Sequence, residues 1–186
     1  MFITAVSGEC FIGFLNHNNI KAELVDVPET LWCGAAAYAD DNESEPDIPA
    51  LLEKYQQNCR YPKHKLANPS WSCCISIDYI KEGKAPRGIM FAQQVMSEMQ
   101  NAAHDVFRMP QSRYIRLVCT NETARAAFGR DGCEVYELFG VIKDALPDLG
   151  YCVGTNGAQE IEMYDFGAGL SYAYVPVEAI PKNGRI

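Results

Sequence analysis

The sequence is short of basic residues. It has 16 Lys and Arg against 24 Asp and Glu, which gives a formal net charge of −8 at neutral pH. Proteins that bind nucleic acid neutralise phosphates with clustered Lys and Arg, so this balance argues against direct DNA binding. A negatively charged protein is better suited to cationic ligands.

Long hydrophobic segments are also missing. No stretch reaches the ~18 uninterrupted apolar residues that a membrane-spanning helix needs. The apolar N-terminal segment has no basic region at its start, and Glu9 interrupts it, so it does not have the pattern of a secretory signal. We therefore expect a cytoplasmic protein with no membrane partner.

Motifs for metals, cofactors and nucleophilic catalysis are absent. The eight cysteines include no CxxC pair, and the adjacent Cys73 and Cys74 would point to opposite faces of a strand. An acidic segment at 39–47 lacks the glycine and the final glutamate of a calcium loop. No GxGxxG, Walker A, HExxH or GxSxG pattern occurs. We predict free thiols, no metal site and no cofactor.

What the sequence does contain is a faint internal repeat. Residues 25–32 (VDVPETLW) and 107–114 (FRMPQSRY) share an apolar-polar-apolar-proline pattern that ends in an aromatic residue. A helical stretch follows each copy, and then comes a strand with an acid and a tyrosine, at 75–79 and 161–165. This order predicts two fused β-α-β-β units, with pseudo-repeats at about 22–100 and 105–180. They form one domain at 22–180, between an N-terminal extension at 1–21 and a tail at 181–186.

Apolar periodicity predicts the individual elements. Strands are expected at 22–38 with a bend at Pro28, and at 71–80, 89–99, 107–120, 160–166 and 171–177, with a further strand near 11–15. Helices are expected at 48–59, capped by Asp47, and at 122–130 and 134–146. The segment 129–132 (GRDG) is either a kink or a real break between the last two, and 147–150 (PDLG) ends the last one. The predicted class is α+β: one concave antiparallel sheet with helices packed on it. Tyr38 and Phe91 are predicted core residues.

Several short segments resemble GyrI-like proteins, the effector-binding domain of many AraC-type and MerR-type transcription regulators. Residues 109–114 (MPQSRY) resemble the family's "IPAGxY" strand. Residues 150–151 (GY), 161–165 (IEMYD) and 174–178 (YVPVE) are similar to its closing "GY…FEIYD…IPVE" run, and 47–51 (DIPAL) are similar to its "IPxLW" helix start. The resemblance covers about 22–178 and includes no helix-turn-helix half, so we expect a stand-alone form.

The resemblance implies a pocket for bulky apolar cations, lined by aromatic rings around a buried glutamate. Some relatives are gyrase inhibitors, and others are hydrolases that open strained cyclopropane rings of DNA-alkylating compounds. The resemblance thus implies either a ligand-binding module, a hydrolase of reactive electrophiles or a protein-interaction module.

Strand alternation suggests which residues line such a pocket. Glu162 and Tyr164 share one face of their strand, and Tyr172 and Tyr174 share a face of the next, so a carboxylate could sit among phenols and attract a cation. Pairing of Glu162 with a basic residue, or exposure to water, is the alternative. Further ligand-binding candidates, which could equally be packing or rim residues, are Trp32, Tyr114 and Trp71.

Two other functions use these or neighbouring residues. In a hydrolase, Glu162 would act as a general base on water while Tyr164 or Tyr174 positions or protonates the substrate. In a gyrase-inhibitor-like protein, the acidic run at 40–47 would contact the protein partner.

Overall fold

The computed structural model describes residues 6–39, 46–59, 61–63, 71–77 and 88–181, with the side chains of Trp71 and Ser72 excepted. The strands in these segments are β1 Cys10–His17, β2 Ile20–Val27, β3 Thr30–Tyr38, β4 Trp71–Ile77, β5 Gly88–Val95, β6 Asp105–Met109, β7 Ser112–Val118, β8 Tyr151–Val153, β9 Glu160–Asp165 and β10 Leu170–Ala179. The helices are α1 Ile48–Lys54, α2 Asn121–Phe128 and α3 Glu137–Leu149; a π-helical turn, Tyr55–Cys59, continues α1.

The strands form one antiparallel sheet. Its order is β1-β2-β7-β10-β9-β4-β5-β3-β6, and β8 pairs with the far end of β10. The sheet does not close on itself, and the helices pack on it. The predicted α+β class with a single antiparallel sheet is confirmed. Among the described segments, every helix is too short or too polar to cross a bilayer.

Two proline bends connect strands from opposite halves of the sheet order. Pro28 and Glu29 join β2 to β3, and Pro110 and Gln111 join β6 to β7. Strand β2 pairs with β7, β3 pairs with β6, and the register is the same on both sides of the bends. Proline cannot donate to a ladder, which explains the interruptions. The bend at Pro28 was predicted, whereas the predicted continuous strand 107–120 is broken at Pro110.

The two sides of the sheet bury different clusters. We call one side the inner face; its buried side chains include Val25, Val27, Trp32, Ile75, Met90, Tyr114, Ile161, Met163, Tyr172 and Tyr174. The other side, the helix face, carries α3 through Leu138, Ile142 and Leu146. Further along this face, Leu51 and Tyr55 of α1 and the π turn pack against Ala35 of β3. The site candidates whose side chains are described lie on one or the other of these faces.

Neighbouring residues explain where the helices begin and end, except at Pro147 inside α3. Asp47 caps α1 as predicted, because its carboxylate accepts a 3.0 Å hydrogen bond from the Ala50 amide. The glycine-rich segment after α2 is a real break between two helices. However, α3 continues through Pro147 to Leu149 and ends at Gly150, whose φ of 81° suits a C-terminal cap. The helix therefore extends three residues beyond the predicted bound at 146, because a proline in the last turn removes only one helix hydrogen bond.

The core predictions were partly right. Tyr38, predicted to be buried, is 61% exposed at the end of β3. Phe91 packs against the cluster under α1, as expected for a core residue. At the N-terminus, the suggested strand near 11–15 is β1, and Asn18 and Asn19 form its turn to β2 with φ angles of 48° and 65°. Asparagine tolerates this left-handed backbone better than most residues.

Candidate ligand site on the inner face

Four predicted site residues come together on the inner face. Trp32, Tyr114, Tyr172 and Tyr174 belong to the same buried cluster, and each is at most 2% exposed. The rings of Tyr114 and Tyr174 meet edge to face, with centres 6.0 Å apart, and those of Tyr172 and Tyr174 are 6.4 Å apart. Such a group of rings offers π faces and edges in a dry environment.

Strand register explains why these rings meet. Tyr172 and Tyr174 are two residues apart on β10 and therefore point the same way. Tyr114 on β7 faces the same side and lies opposite Pro176 of β10. Trp32 comes from β3, and its indole nitrogen donates a 2.9 Å hydrogen bond to the hydroxyl of Thr30.

A buried guanidinium lies against these rings. Arg116 on β7 is 3% exposed and pairs across the sheet with Tyr174 of β10 and Glu23 of β2. Its guanidinium carbon is 5.2 Å from the ring centre of Tyr172 and 5.6 Å from that of Tyr174, within cation–π range. Arg116 forms ion pairs with Glu9 and with Glu23. The inner face therefore already holds one cation among aromatic rings.

Glu9 is a buried carboxylate on this face. Its Oε2 accepts a 2.9 Å hydrogen bond from the Tyr174 hydroxyl, which in turn accepts a 3.1 Å hydrogen bond from Arg116. The Glu9 side chain is only 2% exposed. A charge in such a place is costly unless it is paired and hydrogen-bonded, as it is here. Glu9 and Arg116 were not predicted as site residues; Glu9 had attracted notice only as the residue that interrupts the apolar N-terminal segment.

A tight turn at residues 6–9, which we call the N-terminal turn, places Glu9 on the inner face. The Glu9 amide donates to the Val6 carbonyl at 3.1 Å, and the Val6 amide donates to Glu9 Oε2 at 3.3 Å. Val6 is fully buried in the inner-face cluster, and the Ser7 amide donates to the Gln94 side chain of β5 at 3.0 Å. The N-terminal turn thus covers part of the aromatic face.

Glu162 and Tyr164 lie on the opposite side of the sheet. They share a face, as predicted, and the Tyr164 hydroxyl donates a 2.6 Å hydrogen bond to Glu162 Oε2. However, Glu162 pairs across β9 and β10 with Ala173, while Tyr172 pairs with Met163. The predicted cluster of Glu162 with Tyr172 and Tyr174 is wrong, because this register puts the carboxylate on the helix face.

The helix-face carboxylates have a distinctive environment. Burial raises the pKa of Glu162, and the hydrogen bond from Tyr164 only partly offsets this. Burial also raises the pKa of Glu160 to about 7, against the attraction of Lys143, whose Nζ lies 3.1 Å from Glu160 Oε1. Glu160 was not among the predicted site residues.

Other predicted site features lie outside the described residues. They are the side chain of Trp71 and most of the acidic run at 40–47. Within the described parts of the chain, no group of three or more His, Cys, Asp or Glu side chains is arranged to hold a metal ion.

Several solved structures have a fold similar to that of this protein. The C-terminal domain of EcmrR aligns with a TM-score of 0.57 and 13% identity, over 86% of this chain and 98% of that domain. The protein has a GyrI-like fold. An integron cassette protein from the mobile metagenome of Vibrio cholerae shares it, with a TM-score of 0.54 and 12% identity over 92% of this chain and all of that one.

A third structure with the GyrI-like fold carries a ligand. SAV2435 bound to tetraphenylphosphonium aligns with a TM-score of 0.52 and 14% identity, over 84% of this chain and 93% of that one. No family model matches the sequence. No curated protein matches it either. At these identities the likeness establishes the fold alone.

Proposed function

We propose that this protein binds a hydrophobic monocation on its inner face, between the aromatic rings and the Glu9 carboxylate. The observation that carries the proposal is Arg116, a buried cation lying against Tyr172 and Tyr174 and bonded to Glu9. The site is thus built to hold positive charge in a dry aromatic setting. A protein of the same fold, SAV2435, was solved bound to the hydrophobic cation tetraphenylphosphonium.

The charges on the inner face support a cationic ligand. Two carboxylates, Glu9 and Glu23, surround the single guanidinium of Arg116. In their charged forms, these three described side chains sum to one negative charge in a largely buried place. A bound monocation would balance it, and the aromatic rings would take up its apolar surface.

Ligand entry requires the N-terminal turn to move. Val6 fills part of the aromatic cluster, and Ser7 is tied to Gln94 by its amide. Glu9 directly precedes β1 and is held by Arg116 and Tyr174, so residues 6–8 can move away while the carboxylate stays in place. The work of opening this turn lowers the apparent affinity.

A titration with tetraphenylphosphonium tests the proposal, with tryptophan quenching and calorimetry as readouts. Wild type should show saturable binding, and Glu9→Gln should weaken it at least about tenfold because the neutral side chain no longer attracts the cation. Glu162→Gln is the matched control: it alters a buried glutamate on the opposite face and should leave affinity unchanged. No saturable binding to wild type, or equal effects of the two variants, would refute the proposal.

A second candidate function rests on the helix face. The 2.6 Å hydrogen bond between Tyr164 and Glu162, together with the raised pKa of Glu162, is the arrangement of a general base with a proton donor beside it. In such a hydrolase, Glu162 takes a proton from water as the water oxygen bonds to an electrophilic carbon, and Tyr164 protonates the leaving atom. Loss of electrophile turnover in Glu162→Gln, with tetraphenylphosphonium binding intact, would support this function; no turnover by wild type would exclude it.

A further inference from the structure

Among the described residues, the hydroxyl of Tyr114 finds no hydrogen-bond partner. The residue is fully buried. A buried hydroxyl without a partner costs free energy, and such groups are uncommon in native proteins. Its position on the inner face, beside Tyr174, makes this unsatisfied group part of the proposed ligand site.

The neighbouring tyrosine shows that the inner face can satisfy a phenol. The Tyr174 hydroxyl donates to Glu9 and accepts from Arg116, whereas the Tyr114 hydroxyl on the adjacent strand does neither. Burial raises the pKa of Tyr114, so its hydroxyl stays protonated and remains a donor at any physiological pH. The inner face therefore offers the Glu9 carboxylate to a cation. On the neighbouring ring of Tyr114 it also offers a hydroxyl donor that has no acceptor among the described residues.

We propose that the ligands of this protein are hydrophobic cations that also carry a hydrogen-bond acceptor, such as a carbonyl oxygen, and that Tyr114 donates to it. The inference rests on the proposed binding of hydrophobic cations and adds a specificity-determining residue to it. The protein would then prefer a cation with an acceptor over an equally large and equally charged one without. Tetraphenylphosphonium, which has no acceptor, would be a ligand that leaves Tyr114 unsatisfied.

A pair of isosteric probes tests this. The para-acetylphenyl and para-isopropenylphenyl derivatives of triphenylphosphonium have the same charge and nearly the same shape, and differ by an oxygen in place of a methylene group. Wild type should bind the acetyl compound about fivefold tighter, the size of one net hydrogen bond. In Tyr114→Phe the two affinities should become equal through loss of affinity for the acetyl compound alone.

Tyr174→Phe is the comparison variant, because its hydroxyl is already bonded to Glu9 and Arg116. It should change the affinity for both probes by the same factor and keep their ratio. Tyr114→Phe should melt at the same temperature as wild type or higher, since it removes an unsatisfied hydroxyl, which shows that any loss of binding is not a loss of folding.

Each outcome has a distinct meaning. Equal affinities of wild type for the two probes, or a ratio that survives in Tyr114→Phe, would overturn the role of Tyr114 while the binding function stands. Binding of neither probe to folded wild type would overturn the binding function and this inference with it.

Discussion

Glu9 and Tyr174 are 165 positions apart in the chain, and a 2.9 Å hydrogen bond joins the tyrosine hydroxyl to the glutamate carboxylate inside the sheet. The bond ties the segment before the first strand to the last long strand. Through Arg116 it extends to β7 and β2, so one polar network spans the buried side of the molecule. A segment that sequence reasoning set apart as an extension thus supplies the central acid of the candidate site.

Replacing Glu9 should be costly to folding as well as to binding. Glu9→Gln leaves Arg116 buried with one carboxylate fewer, and breaking a buried ion pair in this way costs about 3 kcal/mol. Chemical denaturation of the unliganded protein should show this loss of unfolding free energy. Glu23→Gln, which alters the more exposed partner of the same guanidinium, should cost less; a larger loss there would mean that Glu23, not Glu9, is the main partner.

Replacing Glu162 should have the opposite effect on stability. Its pKa is raised in the folded protein, so ionisation costs stability as pH rises above the unfolded pKa of ~4.3. The neutral Glu162→Gln avoids that cost and can still accept the hydrogen bond from Tyr164. We expect equal stability at acid pH and equal or higher stability of the variant near neutral pH, measured by thermal melts. A clearly less stable variant at neutral pH would show that the folded protein favours the carboxylate.

Glu160 should make the protein lose stability between acid and neutral pH. Its folded pKa of about 7 lies above the usual pKa of a glutamate, so the folded state holds a proton that the unfolded state has lost. The stabilisation is complete below the unfolded pKa and disappears as pH rises through the folded one, by up to about 3 kcal/mol.

Urea titrations across this range, on wild type and Glu160→Gln, measure the effect. The two groups that act on Glu160 are Lys143, which lowers its pKa, and Glu162, which raises it. Glu160→Gln should flatten the pH dependence, whereas Lys143→Met should steepen it. Identical slopes in all three proteins would show that Glu160 does not titrate in this range.

Loosening the N-terminal turn should ease ligand entry. Gly8 has a φ of 83°, and a Cβ there would lie 3.0 Å from the Pro28 ring, so Gly8→Ala strains the turn by roughly 1–2 kcal/mol. If the turn must open for binding, tetraphenylphosphonium should associate faster and bind up to about tenfold tighter. Gly13→Ala in β1 is the control, because its Cβ meets nothing within 4 Å. Weaker binding to Gly8→Ala would instead make the turn a part of the binding surface.

Two thiols are close enough to react. Cys119 Sγ and Cys133 Sγ are 3.3 Å apart on either side of α2. Oxidised glutathione should link them, with release of two glutathione thiols, and closing this short loop should raise stability by about 3 kcal/mol. Mass spectrometry of a variant lacking the exposed Cys10 and Cys152 detects the bond. A Cys119→Ser variant cannot close this loop: it can at most keep one glutathione on Cys133, and its stability should not rise. Wild-type thiols that stay free would contradict the prediction.

Much of the fold was predictable because strand alternation and helix periodicity are local. The cap at Asp47, the bend at Pro28 and the alternation of β4, β9 and β10 all follow from neighbouring residues. The short strand β8 was missed because three residues carry no periodicity.

The composition of the site was less predictable, because it depends on pairing between distant strands. Alternation correctly put Glu162 beside Tyr164 and Tyr172 beside Tyr174. Only the register of β9 against β10 decides whether those pairs share a side of the sheet, and it separates them. Likewise, no sequence pattern near Glu9 predicts that it pairs with Arg116.

The two proline bends make the two halves of the chain depend on each other for strand pairing. Strands β2, β3 and β4 find partners in β7, β6 and β9, all from the second half. The two halves of the chain therefore complete each other's strand pairing. Cut between β5 and β6, neither fragment could satisfy the edges of its own strands. The two fragments mixed together should reassemble, and the intact chain should unfold in a single cooperative step.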